Sequence, residues 1–245
     1  MARIALFGLL FAHAAFGLPQ EIWKRTAAYY NPTDGGGSLL DNAGNGLGEP
    51  LNVIVSGLSS PDVLTDDGIV NFARAVGFSE ECFGIHLGDP QSANLGDGHG
   101  AVNQTIELRQ DYGDADEGTC LESLIGGNHF RCATHPAIRS PVFTATGDLL
   151  PRVFRQNGPS ANSGALFLAV SQEENVSEGH TISADGYNVG RNALVAAAIG
   201  NTNYGGVSYS TVAQNITGLI APGDNGVNHG IAQDGIVTLL TVTIV

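Results

Sequence analysis

The sequence predicts an α+β domain in which two helices pack on a mostly antiparallel sheet. Two segments have the apolar spacing of amphipathic helices, and six or more short segments are rich in Val, Ile, Thr and Phe, as strands are. The chain also contains 34 Gly among 245 residues, together with many Asn and Asp, which suits tight turns between short elements. Helices that pack on one face of an antiparallel sheet satisfy all three observations.

The first strand is predicted at residues 51–55 and the first helix soon after it. Thr65 is a good N-cap, and Asp66 and Asp67 place negative charge in the first turn, where the helix dipole favours it. Gly77 suits the position just past the helix end. The apolar residues between them recur at helical spacing: Ile69, Phe72, Ala73 and Val76.

The remaining elements follow from composition and alternation. Residues 88–100 are predicted to be loop, and residues 157–164 a turn-rich connection. A second helix is expected from about Asn188 to Ile199, with an apolar side of Leu194, Val195, Ala198 and Ile199. Further strands are predicted at residues 82–87, 105–109, 153–155, 165–170, 207–220 and 236–245.

The amino terminus has the pattern of a secretory signal peptide at residues 1–17. Arg3 supplies positive charge, residues 4–16 are almost wholly apolar, and small residues at Ala15 and Gly17 precede a cut before Leu18. An apolar run of about thirteen residues is too short to span a bilayer, which needs roughly 20. The chain is therefore expected to be secreted and extracellular, with a Gly-rich extended lead-in at 18–50 and a single domain at 51–245.

Charge limits the partners of the mature chain. The net charge of −14 includes Arg3, so the chain from residue 18 carries −15. Such a surface repels nucleic acid and anionic lipid, and it favours cationic ligands or metal ions. We expect an extracellular ligand of unidentified chemistry, no nucleic-acid partner and no membrane span.

Three Asn-x-Ser/Thr sequons become glycosylation sites if the chain enters the secretory pathway. They begin at Asn103, Asn175 and Asn215. Asn175 looks best placed for the surface, because the three residues before it, 172–174, are strongly polar.

A secreted protein with three cysteines has one left over, which is either a reactive free thiol or is explained by the sequence around Cys132. Residues 132–152 contain Cys132, lack periodicity and can be deleted so that residues 128–131 and 153–155 join as one strand. These 21 codons make 63 nucleotides, a suitable length for a fungal intron, and the codons at both ends permit splice sites. The segment is interpreted as a retained intron or a surface loop; in the first case Cys82 and Cys120 form one disulfide.

Common catalytic signatures, such as Gly-x-Ser-x-Gly and His-Glu-x-x-His, are absent from the sequence. One polar grouping lies in a Gly-rich stretch: His86, Asp89, Asp97 and His99. Imidazole and carboxylate suit a divalent metal ion or acid–base chemistry, and a solvated loop explains the same residues. No cofactor is certain, and a divalent metal is one interpretation.

A second grouping spans a strand and the turn into the second helix: His129, Arg131, His180, Asp185 and Arg191. Around it, residues 51–55 with the helix that follows, Asn128-His-Phe-Arg131 joined to 153–155, 165–170 and Gly179–Arg191 together resemble the LssY-like carboxy-terminal domain family. That family shows a His-x-Arg-hydrophobic strand and a His-x-Ile-Asp-like turn that leads into an Arg-bearing helix. The resemblance covers roughly residues 50–200.

The resemblance implies candidate catalytic residues without assigning an activity. Bacterial members of that family often join this domain to membrane segments that resemble lipid-phosphate phosphatases, a part that this sequence lacks. It also departs from the family pattern at Gly186 and Gly190, where the family is more acidic. The sequence thus predicts an extracellular binding or interaction domain, with a small phosphatase-like hydrolase that uses the His/Asp/Arg grouping as the alternative.

Overall fold

The computed structural model describes residues 25–80, 91–104, 106–111, 128–132, 154–174 and 181–245. The predicted fold class is confirmed: the described chain forms an α+β fold with a mostly antiparallel sheet and two helices. Residues 1–17, which are predicted to be a signal peptide, and most of the 132–152 segment lie outside the described residues. No described helix has the length and apolar character needed to cross a membrane.

Nine of the eleven described strands form one large sheet, and β3 and β4 form a separate antiparallel pair. The order across the large sheet is β2-β5-β6-β8-β1-β11-β10-β9, with β7 also paired to β8. Only β1 and β11 are parallel among these described pairs. The strands are β1 Val53–Val55, β2 Phe78–Glu80, β3 Ser92–Asn94, β4 Ala101–Asn103, β5 Ile106–Gln110, β6 Asn128–Cys132, β7 Arg155–Gly158, β8 Ala161–Gln172, β9 Gly200–Tyr204, β10 Val207–Thr217 and β11 Ile236–Ile244.

Both helices, α1 (Asp66–Ala75) and α2 (Gly186–Ala198), contribute to a single core with the large sheet. The Thr65 side chain accepts a hydrogen bond from the Gly68 amide and caps α1 as predicted. The buried helix residues Phe72 and Leu194 share this core with alternate residues of the central strands: Val53, Val55, Leu166, Leu168, Val170, Leu240 and Val242.

A second core contains the intervening strand residues, including Ile54, Phe167 and Leu239. Leu39 and Leu95 pack in this second core, so the described part of the lead-in and the β3 region contribute apolar side chains to it. The sheet is therefore buried on both faces at its centre. This explains why β8 is buried from Ala161 to Ser171, apart from Asn162, and does not alternate between apolar and polar residues.

Strands β6 and β7 pair with the same edge of β8, one after the other. Arg131 is paired with Ala169, and Arg155 is paired with Leu166. The chain numbering thus advances by 24 from one pair to the next, while the numbering on β8 falls by three. Removal of the 21 residues 132–152 would reduce the step of 24 to three, which equals the step of three along β8. Equal steps on both strands are the register of one uninterrupted strand.

Several boundaries differ from the sequence predictions. The predicted loop 88–100 contains β3, and the predicted turn 157–164 contains the end of β7 and the start of β8. Ile199, placed on the apolar side of α2, is 54% exposed because the helix ends at Ala198 and the next residues turn into β9. The sequence does not predict β9, since Gly-Asn-Thr-Asn-Tyr has the composition of a turn.

Candidate functional site

Strand β6 carries two of the predicted catalytic residues within the large sheet. His129 is in register with Arg109 of β5 on one side and with Ser171 of β8 on the other. Arg131 occupies a further row, between Glu107 and Ala169. The sheet therefore brings His129 and Arg131 into rows with residues that the sequence analysis does not select.

Arg109 and Glu173 form a buried ion pair beside these rows. The Arg109 Nη1 donates to Glu173 Oε2 at 2.7 Å, and each residue is only 9% exposed. Removing one partner of a buried ion pair strongly destabilises a protein. The intact pair contributes little to stability compared with apolar residues of similar volume. The polar segment 172–174, which favours Asn175 as a surface site, thus contains a buried carboxylate.

Arg191 has no N–H group available for a ligand. Its Nη1 and Nη2 donate to the two carboxylate oxygens of Asp234 at 2.6 and 2.8 Å. Nη1 also donates to the Ile236 carbonyl, and Nε and Nη2 donate to Asn192 Oδ1. These five bonds use the full donor capacity of a guanidinium group. Arg191 is 3% exposed and fastens α2 to the turn before β11.

The hydrogen bond from Arg191 lowers the pKa of Asp234, with burial acting in the opposite direction as the next largest effect. The Asp234 carboxylate is partly exposed, and the Asp234 backbone amide donates to Asn188 Oδ1 on α2. The Arg191–Asp234 contact is therefore a structural clasp in which a buried cation holds a more exposed carboxylate ionised.

Gly186 and Gly190 let α2 approach β8 closely. A Cβ atom at Gly190 would overlap the backbone of Ser171, and one at Gly186 would press on Gln172 and Ile182. A side chain at either position would therefore disturb the packing of α2 on β8.

Asp185 lies just before α2 and is exposed. It has a left-handed conformation with φ of 59°, and it accepts a hydrogen bond from the Asn188 side chain. Its contacts are therefore local to the start of the helix.

The second grouping is consequently divided among different contacts in the described chain. Asp185 and Arg191 serve the start and the anchoring of α2, and His129 and Arg131 lie on β6. His180 lies outside the described residues.

In the first grouping, Asp97 binds the backbone. Its Oδ1 accepts from the His99 amide at 3.0 Å, and its Oδ2 accepts from the amides of Asn157 and Gly158 at 3.2 and 3.0 Å. His99 Nδ1 lies 3.5 Å from the same carboxylate. Asp97 is buried and ties the Gly-rich loop to the β7–β8 hairpin.

The other members of the first grouping, His86 and Asp89, lie outside the described residues. Within the part of the chain that the structure describes, no cluster of three or more His, Cys, Asp or Glu is able to hold a metal ion. The metal interpretation of this loop stays a prediction.

The sequence analysis does not select an arginine pair formed by Arg25 and Arg155. Burial lowers the pKa of Arg25, and the positive charge of Arg155 lowers it further. Arg155 Nη2 donates to Asp66 Oδ1 at 2.9 Å, at the first residue of α1. Two buried nitrogens of this pair, Arg25 Nη1 and Arg155 Nε, have no hydrogen-bond partner among the described residues. The two arginines lie far apart in the chain, so no spacing pattern connects them.

The covalent predictions fall partly within the described chain. Asn103 is exposed at the end of β4, and Asn215 is exposed on β10. Asn175, Cys82 and Cys120 lie outside the described residues, and of Cys132 only the strand position is described.

Comparison of the chain with models of protein families, with curated proteins and with solved structures yields no match. The resemblance to the LssY-like family therefore stays a prediction.

Proposed function

We propose that this chain is a secreted binding protein and that the arginine pair receives an oxyanion of its ligand, a carboxylate or a phosphate group. The observation that carries this proposal is the pair of buried guanidinium nitrogens without partners in the described chain, Arg25 Nη1 and Arg155 Nε. A buried N–H group without an acceptor is destabilising, and two neighbouring cations add repulsion. An oxyanion would accept hydrogen bonds from these nitrogens and reduce the repulsion between the two cations. Guanidinium groups match the geometry of carboxylate and phosphate groups.

The surrounding charge restricts the ligand to one with a small anionic group. The whole chain carries −14 and only ten Lys and Arg residues, so a polyanion such as nucleic acid would be repelled outside the arginine pair. Asp66 already compensates part of the charge of Arg155. A single carboxylate or phosphate fits the charge that remains.

The hydrolase alternative has less support in the described residues. Arg191 is one of its candidate residues, and the five N–H groups of Arg191 are occupied within the protein. Asp185 is exposed at the start of α2 and accepts from Asn188. A general acid or base acts together with groups that surround the substrate, and the contacts of Asp185 are local to the start of its own helix.

Thermal unfolding of the secreted protein in sodium phosphate, compared with sodium chloride at equal ionic strength, tests the proposal. At a phosphate concentration about ten times the dissociation constant, the free energy of unfolding rises by about 1.4 kcal/mol. For a chain of this size the melting temperature should then increase by roughly 3–6 °C. Arg25→Gln should abolish this increase, and it should not lower the melting temperature in chloride because it removes a like-charge contact.

Arg74→Gln is the matched control. Arg74 lies on α1 with its guanidinium carbon 5.7 Å from the centre of the Tyr204 ring, so it belongs to a different contact. The control should retain the phosphate effect. Equal phosphate shifts in wild type and Arg25→Gln, or no shift in the wild type, would contradict an oxyanion site at the arginine pair.

A further inference from the structure

Strand β10 has an open edge at residues 212–217. On one side, β11 pairs with β10 from Tyr209 to Thr217. On the other side, β9 pairs only with Val207 to Thr211. Within the described chain, residues 212–217 therefore have a neighbouring strand on one side only, and their outward backbone groups form a template for another strand.

The open edge lacks the features that usually prevent strands from pairing between molecules. Strand β10 contains no charged residue, no Pro and no Gly. It lies within the stretch 192–223, which has no charged or His side chain. Val212 at the start of the open edge is 66% exposed. An uncharged and partly apolar edge of this kind favours association.

Asn215 stands in the middle of the open edge and begins the sequon Asn215-Ile216-Thr217. Its side chain is exposed, and its Oδ1 accepts a hydrogen bond from the hydroxyl of the buried Thr238 at 3.0 Å. This bond fixes the orientation of the Asn215 side-chain amide and occupies its Oδ1 atom. The Nδ2 nitrogen, which is the atom that carries an N-glycan, takes no part in it.

We infer that Asn215 carries an N-linked glycan and that this glycan shields the open edge from other strands. The inference rests on the secretory route of the proposed function, because N-glycosylation takes place there. A lipid pyrophosphate-linked oligosaccharide supplies the sugar: Asn215 Nδ2 forms a bond to the anomeric carbon and loses a proton, and the lipid pyrophosphate leaves. A bulky hydrophilic glycan at the centre of the open edge excludes a second strand and compensates for the absent charge.

Production of the full chain in a eukaryotic secretory host, with and without Asn215→Gln, tests the inference. Peptide mapping of the wild type should find the glycan at Asn215. The Asn215→Gln variant should associate as its concentration rises, with an average mass in light scattering at least about twice that of the wild type. Asn103→Gln, which removes a sequon on β4, is the matched control and should leave the mass per particle unchanged apart from its own lost sugar.

Two further variants separate edge shielding from a folding defect. Thr217→Ala removes the sequon but keeps the Asn215–Thr238 hydrogen bond, and it should associate like Asn215→Gln. Val212→Lys in the Asn215→Gln background places a charge on the open edge and should restore the monomer.

Two contrary outcomes would have different consequences. A secreted chain with unmodified Asn215, or sequon variants as monomeric as Asn103→Gln, would overturn the glycan shield and leave the binding proposal standing. A chain retained in the cell with residues 1–17 uncleaved would overturn the secretory route and the shield together.

Discussion

The two ends of the large sheet differ in the charge of their strands. At one end, β5, β6 and the end of β8 place Glu107, Arg109, His129 and Arg131 in paired rows, with Glu173 bonded to Arg109. At the other end, β9, β10 and β11 contain no charged residue. Both ends belong to one hydrogen-bonded sheet, so the contrast is in the residue types and not in the strand pairing.

This contrast predicts two different weaknesses. At the charged end, stability depends on a buried pair whose partners compensate each other, so loss of one partner is strongly destabilising. At the uncharged end, no single charged contact matters as much, but the open edge is exposed to other strands. Mutations at the charged end should therefore lower the free energy of unfolding, and mutations at the uncharged end should promote association.

The largest expected effect is at the charged end. Arg109→Met removes the cation that lies 2.7 Å from Glu173, and the free energy of unfolding should fall by about 3–5 kcal/mol. Denaturant unfolding measures the loss. A double variant, Arg109→Met with Glu173→Met, should recover most of it because neither charge of the pair remains.

Gln214→Met is the matched control at the uncharged end. Gln214 is exposed on β10, and its replacement should change the free energy of unfolding by less than about 0.5 kcal/mol. If Gln214→Met is as destabilising as Arg109→Met, the two ends do not differ in the way described.

An intermediate effect is expected from deletion of residues 132–152, which joins Arg131 to Val153 at the charged end. The pairs Arg131–Ala169 and Arg155–Leu166 then belong to one continuous register along β8. Replacing this connection by a peptide bond removes a loop-closure cost of about 2–3 kcal/mol, so the deleted form should unfold at higher denaturant concentration.

A deletion shorter by one position is the control for register. Removal of 132–151 leaves Arg152 as an additional residue between Arg131 and Val153, which shifts the pairing by one and turns the following side chains to the opposite face. This variant should be less stable than the 132–152 deletion. Equal stability of the two variants would contradict a continuous strand along β8.

The transcript decides the origin of the segment. If residues 132–152 are encoded by an intron, sequencing of cDNA should find that the main transcript lacks the corresponding nucleotides. A main transcript that reads through Cys132 would make the segment a genuine connection between β6 and β7.

The smallest effect concerns the Arg191–Asp234 clasp, next to the uncharged end. Because the pKa of Asp234 is lowered from 3.8, its contribution to stability is present above pH 3.8 and is lost as pH falls through the lower folded pKa. The difference in free energy of unfolding between wild type and Asp234→Asn should therefore be constant at neutral pH and shrink in acid. A difference that grows as pH falls would contradict the lowered pKa.

Local patterns predict the fold better than they predict polar contacts. The spacing of Ile69, Phe72 and Ala73 predicts α1, and the β-branched tail predicts β10 and β11, because apolar periodicity is written in consecutive residues. The sequence does not predict the short strands β3 and β9, because their composition is typical of turns. They form strands because each pairs with a neighbouring strand, β3 with β4 and β9 with β10.

The candidate site is less predictable because its contacts join distant residues. The sequence singles out Arg191 as a notable cation, but its acceptor Asp234 lies 43 positions away, beyond any spacing rule. Arg109 and Glu173 are 64 positions apart and become neighbours only through the β5-β6-β8 order. Arg25 and Arg155 are likewise 130 positions apart in the chain.

The central strand β1 also sets an order of events during synthesis. Val53 pairs with Leu168 on one side and with Thr238 on the other, and Thr238 follows Val53 by 185 positions. The middle of the sheet can therefore be completed only after β11 has been synthesised. Until then the apolar strand Val53–Val55 lacks its second neighbour, and premature termination before β11 leaves a chain whose central strand has an exposed edge.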